Sequence, residues 1–116
     1  MLLGLRTAVY YAPNLAEAKA WYTSVLNIEP YVDEQFYVGF RVGETEFGLD
    51  PDATETPGGN AGVVVYWAVE NASAAHSKLL SLGATKRGEM QTMDSIRVAT
   101  VLDPFGNILG IIEYGS

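Results

Sequence analysis

The feature that most constrains this chain is that one order of elements occurs in it twice. From Leu5 to Tyr11, Thr7, Val9 and Tyr11 alternate with Arg6, Ala8 and Tyr10, which is strand periodicity. Pro13-Asn14 interrupts it, and Asn14 with Glu17 has the spacing of a helix N-terminus. The run Leu15–Leu26 then sets Leu15, Ala18, Tyr22, Val25 and Leu26 on one stripe, and Asn27 suits the left-handed turn that stops a helix. Strand-like runs follow at Ile28–Asp33, Gln35–Val42 and Glu46–Asp50, the last two joined by a tight turn at Gly43-Glu44. Residues 51–60 are rich in Pro, Gly, Asp and Thr and read as a linker. The order then returns as a strand at Ala61–Val69 and a helix at Ala72–Leu82 closed by Gly83. Strands follow at Thr85–Met90, Ile96–Leu102 and Ile108–Tyr114, with Asp103-Pro104-Phe105-Gly106-Asn107 turning the last pair.

Laying Asn71 on Asn14 brings Ala75 onto Ala18, Leu79 onto Tyr22 and Leu82 onto Val25. A half that cannot bury its own sheet face gains stability by pairing with a twin. The expected fold is therefore α+β: two tandem βαβββ modules, about 4–50 and 61–114, in a single domain over 1–116. Their curved mixed sheet would surround a cup, with the helices on the outer face.

Composition narrows the function classes. With 116 residues, 48% of them hydrophobic, a core can form without a disulfide or metal staple. The absence of cysteine removes disulfides, thiolate metal ligands and a thiol nucleophile together. A net charge of −7 repels phosphates, and the basic residues form no run longer than Lys86-Arg87, so nucleic acid is not an expected partner. No apolar stretch approaches the roughly 20 residues of a membrane span. Met1–Leu5 lacks the charged lead and long apolar run of a secretory signal, so the expected location is cytoplasmic.

Several short motifs carry a family resemblance. Tyr10-Tyr11-Ala12-Pro13-Asn14-Leu15 is followed by Trp21-Tyr22-Thr23-Ser24-Val25-Leu26-Asn27. The second half adds Trp67-Ala68-Val69-Glu70-Asn71, Leu82-Gly83-Ala84 and Leu102-Asp103-Pro104-Phe105-Gly106-Asn107. In this order the chain resembles the vicinal oxygen chelate superfamily of glyoxalase I, bleomycin-resistance proteins and extradiol dioxygenases, over nearly its whole length. The resemblance implies a small-molecule site in the cup and a homodimer. It also implies, for the metal enzymes, one ligand from the first and last strand of each module, His or Gln and Glu. Counting from the matching motifs puts those places at Thr7, Gly48, Val64 and Gly110. None of these supplies a carboxylate or imidazole, so no metal and no other cofactor is expected.

Strand alternation from Thr7 and Val64 sends Val9, Tyr11 and Tyr66 into the cup as well. Counting back from the hairpin turns adds Phe36, Val38 and Phe40, then Ile96, Val98, Thr100, Ile108 and Ile112. Val63, Val65 and Trp67 should face the helices, and the lone His76 should face solvent from its helix. Such a lining is apolar and aromatic with a few hydroxyls, the make-up of a site for an organic ligand. Two alternatives stand beside a metal-free binding protein. One is a metal-independent isomerase or lyase using Glu46 or Asp50 as general base; a slip in the count at Gly48 would bring one or the other into consideration as a ligand, but no ligand would appear in the second module. The other is a structural or regulatory domain whose cup is filled by its own side chains.

Overall fold

The structure, a computed structural model, describes residues 1, 3, 5–52 and 64–115. It divides into two compact units, Met1–Thr56 and Pro57–Ser116. The first holds β1 (Thr7–Tyr11), α1 (Leu15–Leu26), β2 (Val32–Asp33), β3 (Val38–Val42) and β4 (Thr45–Asp50). The second holds β5 (Val65–Ala68), α2 (Ala72–Ser81), β6 (Thr85–Met93), β7 (Ile96–Leu102) and β8 (Ile108–Tyr114). The sheets have the same design, ordered β1-β4-β3-β2 and β5-β8-β7-β6. In each, the first strand lies parallel to the last and the other pairs are antiparallel. Two βαβββ modules are thus present, as the repeat implies. The expected linker lies mostly outside the described residues, as does Val63.

Local chemistry explains the helix boundaries. The Asn14 side chain accepts from the Glu17 amide at 3.2 Å, and Asn71 accepts from the Ala74 amide at 2.9 Å, each satisfying a donor the helix cannot. Asn27 ends α1 in the left-handed region at φ 57°, and Gly83 follows α2 at φ 107°. The Glu113 carboxylate of β8 also accepts from the Ala72 amide at 2.7 Å, placing an anion at the start of α2.

Each sheet buries one face under its helix. In module one Phe47 meets Tyr10 and Tyr22, both with ring centroids 4.8 Å away, and Phe40 lies 6.3 Å from Phe47. Tyr22, Phe40, Phe47, Leu49 and Val38 are fully buried, each burial worth about 1.5–3 kcal/mol. In module two Ala99, Val101, Leu109 and Ile111 form the matching layer, with Ala72 and Leu79 of α2 buried. Trp67 and Val65 share the face of Ile111 and Leu109, as expected for residues turned to the helix.

The turn before β8 is a buried polar knot. Asp103 Oδ1 accepts from the amides of Phe105 and Asn107 at 2.9 and 2.8 Å. Asn107 Nδ2 donates to Asp103 Oδ2 at 3.1 Å, while Gly106 takes φ 94°. Asp103 is 3% exposed, so this carboxylate replaces water with three donors.

Candidate functional site

The register decides what the inner face of each module presents. In module one Thr7 pairs with Glu46, Val9 with Gly48 and Tyr11 with Asp50, and across the hairpin Gly39 pairs with Gly48 and Arg41 with Glu46. These residues share the face opposite α1. Thr7 and Gly48, counted from the motifs, and Val9 and Tyr11, set by alternation, therefore lie together on this face.

Val38 and Phe40 do not. They pair with Leu49 and Phe47 and are buried on the helix side, so their expected inward facing is corrected. The reason is the two-residue turn at Gly43-Glu44, which sets Val42 opposite Thr45 and hence Phe40 opposite Phe47. Phe36 lies ahead of β3 and is 68% exposed.

Tyr37 takes the inner position instead. Its ring lies over the two facing glycines, and a Cβ added at Gly48 would fall 2.6 Å from Tyr37 Cζ, and one at Gly39 3.2 Å from its Cε2. Only glycine lets a ring approach the sheet this closely. The Tyr37 hydroxyl donates to Glu46 Oε2, and the Tyr31 hydroxyl donates to Glu46 Oε1. Arg41 closes the group, its guanidinium carbon 4.8 Å from the Tyr31 ring centroid. Bonds from Tyr31 and Tyr37, helped by Arg41, hold the Glu46 carboxyl below its ordinary range. Burial, then Glu46, pushes the Tyr37 phenol up, and the bond to Glu46 raises Tyr31. Two neutral donors thus embrace one carboxylate. Beside them Leu5, Arg6, Thr7, Tyr31, Arg41 and Glu46 line a cavity of about 630 Å³.

Module two repeats the theme with different parts. Tyr66 pairs with Gly110, Thr100 with Gly110, and Val98 with Ile112, so these share the inner face with Ile96 and Ile108. A Cβ added at Gly110 would fall 2.6 Å from Tyr66 Cδ1, so a tyrosine ring again lies on a glycine floor. Val64 is half-buried just ahead of β5.

The other candidate acid, Asp50, shares the inner face of module one, and its charge adds to the rise of the Tyr37 phenol. Asp50 Oδ1 accepts from the Asp52 amide at 2.8 Å, holding the turn after β4. Glu113 is spent at the start of α2. His76 departs from its expected solvent position: it is half-buried and its Nε2 is shielded from water without a partner. Tyr31, Tyr37 and Arg41 were not among the expected site residues. The signal for Tyr37 was the glycine pair itself, because two small residues side by side on one sheet face leave room for a ring.

The profile of the Glyoxalase/Bleomycin resistance protein/Dioxygenase superfamily matches residues 4–111. The chain belongs to this superfamily. Solved structures share the glyoxalase fold. A glyoxalase/bleomycin resistance protein from Albidiferax ferrireducens is 20% identical, with TM-score 0.75 over 94% of this chain and 97% of that one. A superfamily member from Sphaerobacter thermophilus is also 20% identical, with TM-score 0.75 over 97% and 98%. A lactoylglutathione lyase from Agrobacterium tumefaciens is 17% identical, with TM-score 0.75 over 97% and 95%. No curated protein sequence matches the chain.

A glyoxalase-family metal does not fit the residues present. The places set against its ligands hold Thr7, Gly48, Val64 and Gly110, and tyrosine rings cover both glycines. Among the described residues, no three His, Cys, Asp or Glu side chains gather into a metal-sized group. Glu46, two residues from Gly48, has both oxygens engaged by phenols. No described helix is long and apolar enough to cross a membrane.

Proposed function

We propose that this glyoxalase-family chain is a metal-independent binding protein, whose modules act as one cytoplasmic domain holding an apolar or aromatic small molecule against their inner sheet faces. The observation that carries this reading is a tyrosine ring laid on a glycine in each module, Tyr37 on Gly48 and Tyr66 on Gly110. A ring on a bare backbone floor offers a flat surface for a planar ligand, where a metal enzyme would project a carboxylate. Tyr66 is 48% exposed, so its ring is open to stacking.

An acid–base enzyme has less support. A carboxyl held below its ordinary range is a weak base, and Glu46 would have to give up two phenolic donors to take a proton. Asp50 is engaged by the backbone of its own turn.

Metal content tests the first half of the reading. Protein purified without added metal should contain far less than one divalent ion per chain, and ligand affinity should be unchanged by a chelator. Close to one ion per chain, lost together with binding on chelation, would overturn it. Pairing into a homodimer belongs to the same proposal, motivated by open sheet edges at β2 and β6. Sedimentation as a monomer up to high concentration would remove that part.

A further inference from the structure

On the inner face of module two, one row of paired residues crosses all four strands: Tyr66 on β5, Gly110 on β8, Thr100 on β7 and Arg87 on β6. Strands lie about 4.8 Å apart, so a ring over β8 and a guanidinium over the adjacent β7 stand about one strand spacing apart, within reach of an aryl ring and the carboxylate attached to it. The two ends of the row differ. At one end the Tyr66 ring rests on Gly110. At the other, Arg87 Nη1 donates to Thr100 Oγ1 at 3.1 Å, and that hydroxyl donates to the Arg87 carbonyl at 3.1 Å. The exchange draws the guanidinium over the inner face instead of letting it extend into solvent.

The strand is built to aim it there. Immediately after Arg87 the β6–β7 register shifts, and Gly88 takes φ 76°, a bulge of the kind that redirects a neighbouring side chain. The nearby acid is engaged elsewhere, since Glu89 pairs with Lys86 at 2.9 Å. Among the described residues no carboxylate lies within ion-pair distance of Arg87. Its bond to Thr100 uses one of five donors, leaving a half-buried positive fork without an anion. Between the ends the neighbouring inner residues are the apolar Val98 and Ile112.

We infer that module two binds a planar organic carboxylate, its ring on Tyr66 and its carboxylate on Arg87, with Thr100 as the positioning residue. This rests on the proposed binding role and adds the ligand's charge and orientation. A chain of net charge −7 that leaves this cation unpaired on an inner face favours an anion against its overall field.

The test is calorimetric titration with 2-naphthoate and the neutral isostere 2-naphthamide, with inorganic phosphate as a third probe. The unsubstituted protein should prefer naphthoate by about 10-fold or more, as charge-assisted bonds would give. Added salt should weaken naphthoate and leave naphthamide unchanged, a readout that needs no variant. In Arg87→Met the preference for naphthoate over naphthamide should fall to about one. Equal binding of both probes to the unsubstituted protein, or a preference that survives Arg87→Met, would overturn the inference while leaving aromatic binding intact. Phosphate displacing naphthoate at comparable concentration would overturn the planar carboxylate assignment. Binding of neither aromatic probe would overturn both the inference and the reading it rests on.

Discussion

Glycines carry two of the most exacting residue-scale requirements here. At Gly110 an added methyl meets Tyr66 Cδ1 at 2.6 Å and Cγ at 3.1 Å, atoms close to the backbone that have little room to swing. Gly110→Ala should therefore cost about 1–3 kcal/mol in urea unfolding, the range of overpacking. Gly48→Ala meets the far end of Tyr37, which can swing aside at the loss of its bond to Glu46, so its cost should be smaller. An unchanged midpoint in Gly110→Ala would show that the ring does not rest on the strand.

Glu46 gives a pH signature at the same scale. Its carboxyl is held below the ordinary 4.5 by the phenols of Tyr31 and Tyr37, so the folded state favours the charged form. That contribution is present above the unfolded value and disappears as pH falls through the lower folded value. The stability difference between the unsubstituted protein and Glu46→Gln should thus be full at neutral pH and shrink on acidification below about 4.5. A difference that grows on acidification would contradict the arrangement. Asp103→Ala should cost about 1–3 kcal/mol or more, because three donors lose their acceptor in a buried turn.

Helix caps dominate what can be tested at the element scale. Asn71→Ala and Asn14→Ala should each lower stability by about 1 kcal/mol, read as a fall in the thermal midpoint. No loss in either would mean that water serves the helix ends equally well. The elements themselves were legible where periodicity and breakers agreed: α1, β7 and β8 occupy the residues read from sequence. The run Ile28–Asp33 shrinks to β2 at Val32–Asp33, since Pro30 withholds a ladder donor and an edge strand forms few pairs. β6 runs past its expected end to Met93 because a bulge absorbs Gly88. In module two Tyr66, Val98, Thr100, Ile108, Gly110 and Ile112 share one sheet face, whereas in module one Val38 and Phe40 turn to the helix side. There the turn fixed the register, and facing was counted along one strand without pairing it to the next. Tyr37 and Arg87 escaped for a related reason: a loop residue and a residue at a bulge obey no period of two.

At the scale of the whole molecule, two modules of one topology carry unlike inner faces. Module one presents a carboxylate held between phenols, and module two a guanidinium held by a threonine. Duplication supplies the scaffold, and divergence at a few inward positions supplies the chemistry. The site was legible to the extent that first and last strands could be counted from the motifs. Glu46 and Tyr66 are legible in this way, whereas Tyr31, Tyr37, Arg41 and Arg87 are not, because their place depends on loop and bulge geometry and on how side chains meet. The central claim is metal-independent binding of an aromatic or apolar small molecule. It is tested most directly by thermal unfolding against planar aromatic compounds, with a chelator and with added divalent metal. A ligand at 100 times its dissociation constant adds about 2.7 kcal/mol, a rise of several degrees for a chain of this size. The expected result is that rise with one aromatic class, equal in chelator and in metal. A rise that appears only with metal, or none with any member of the panel, would contradict it.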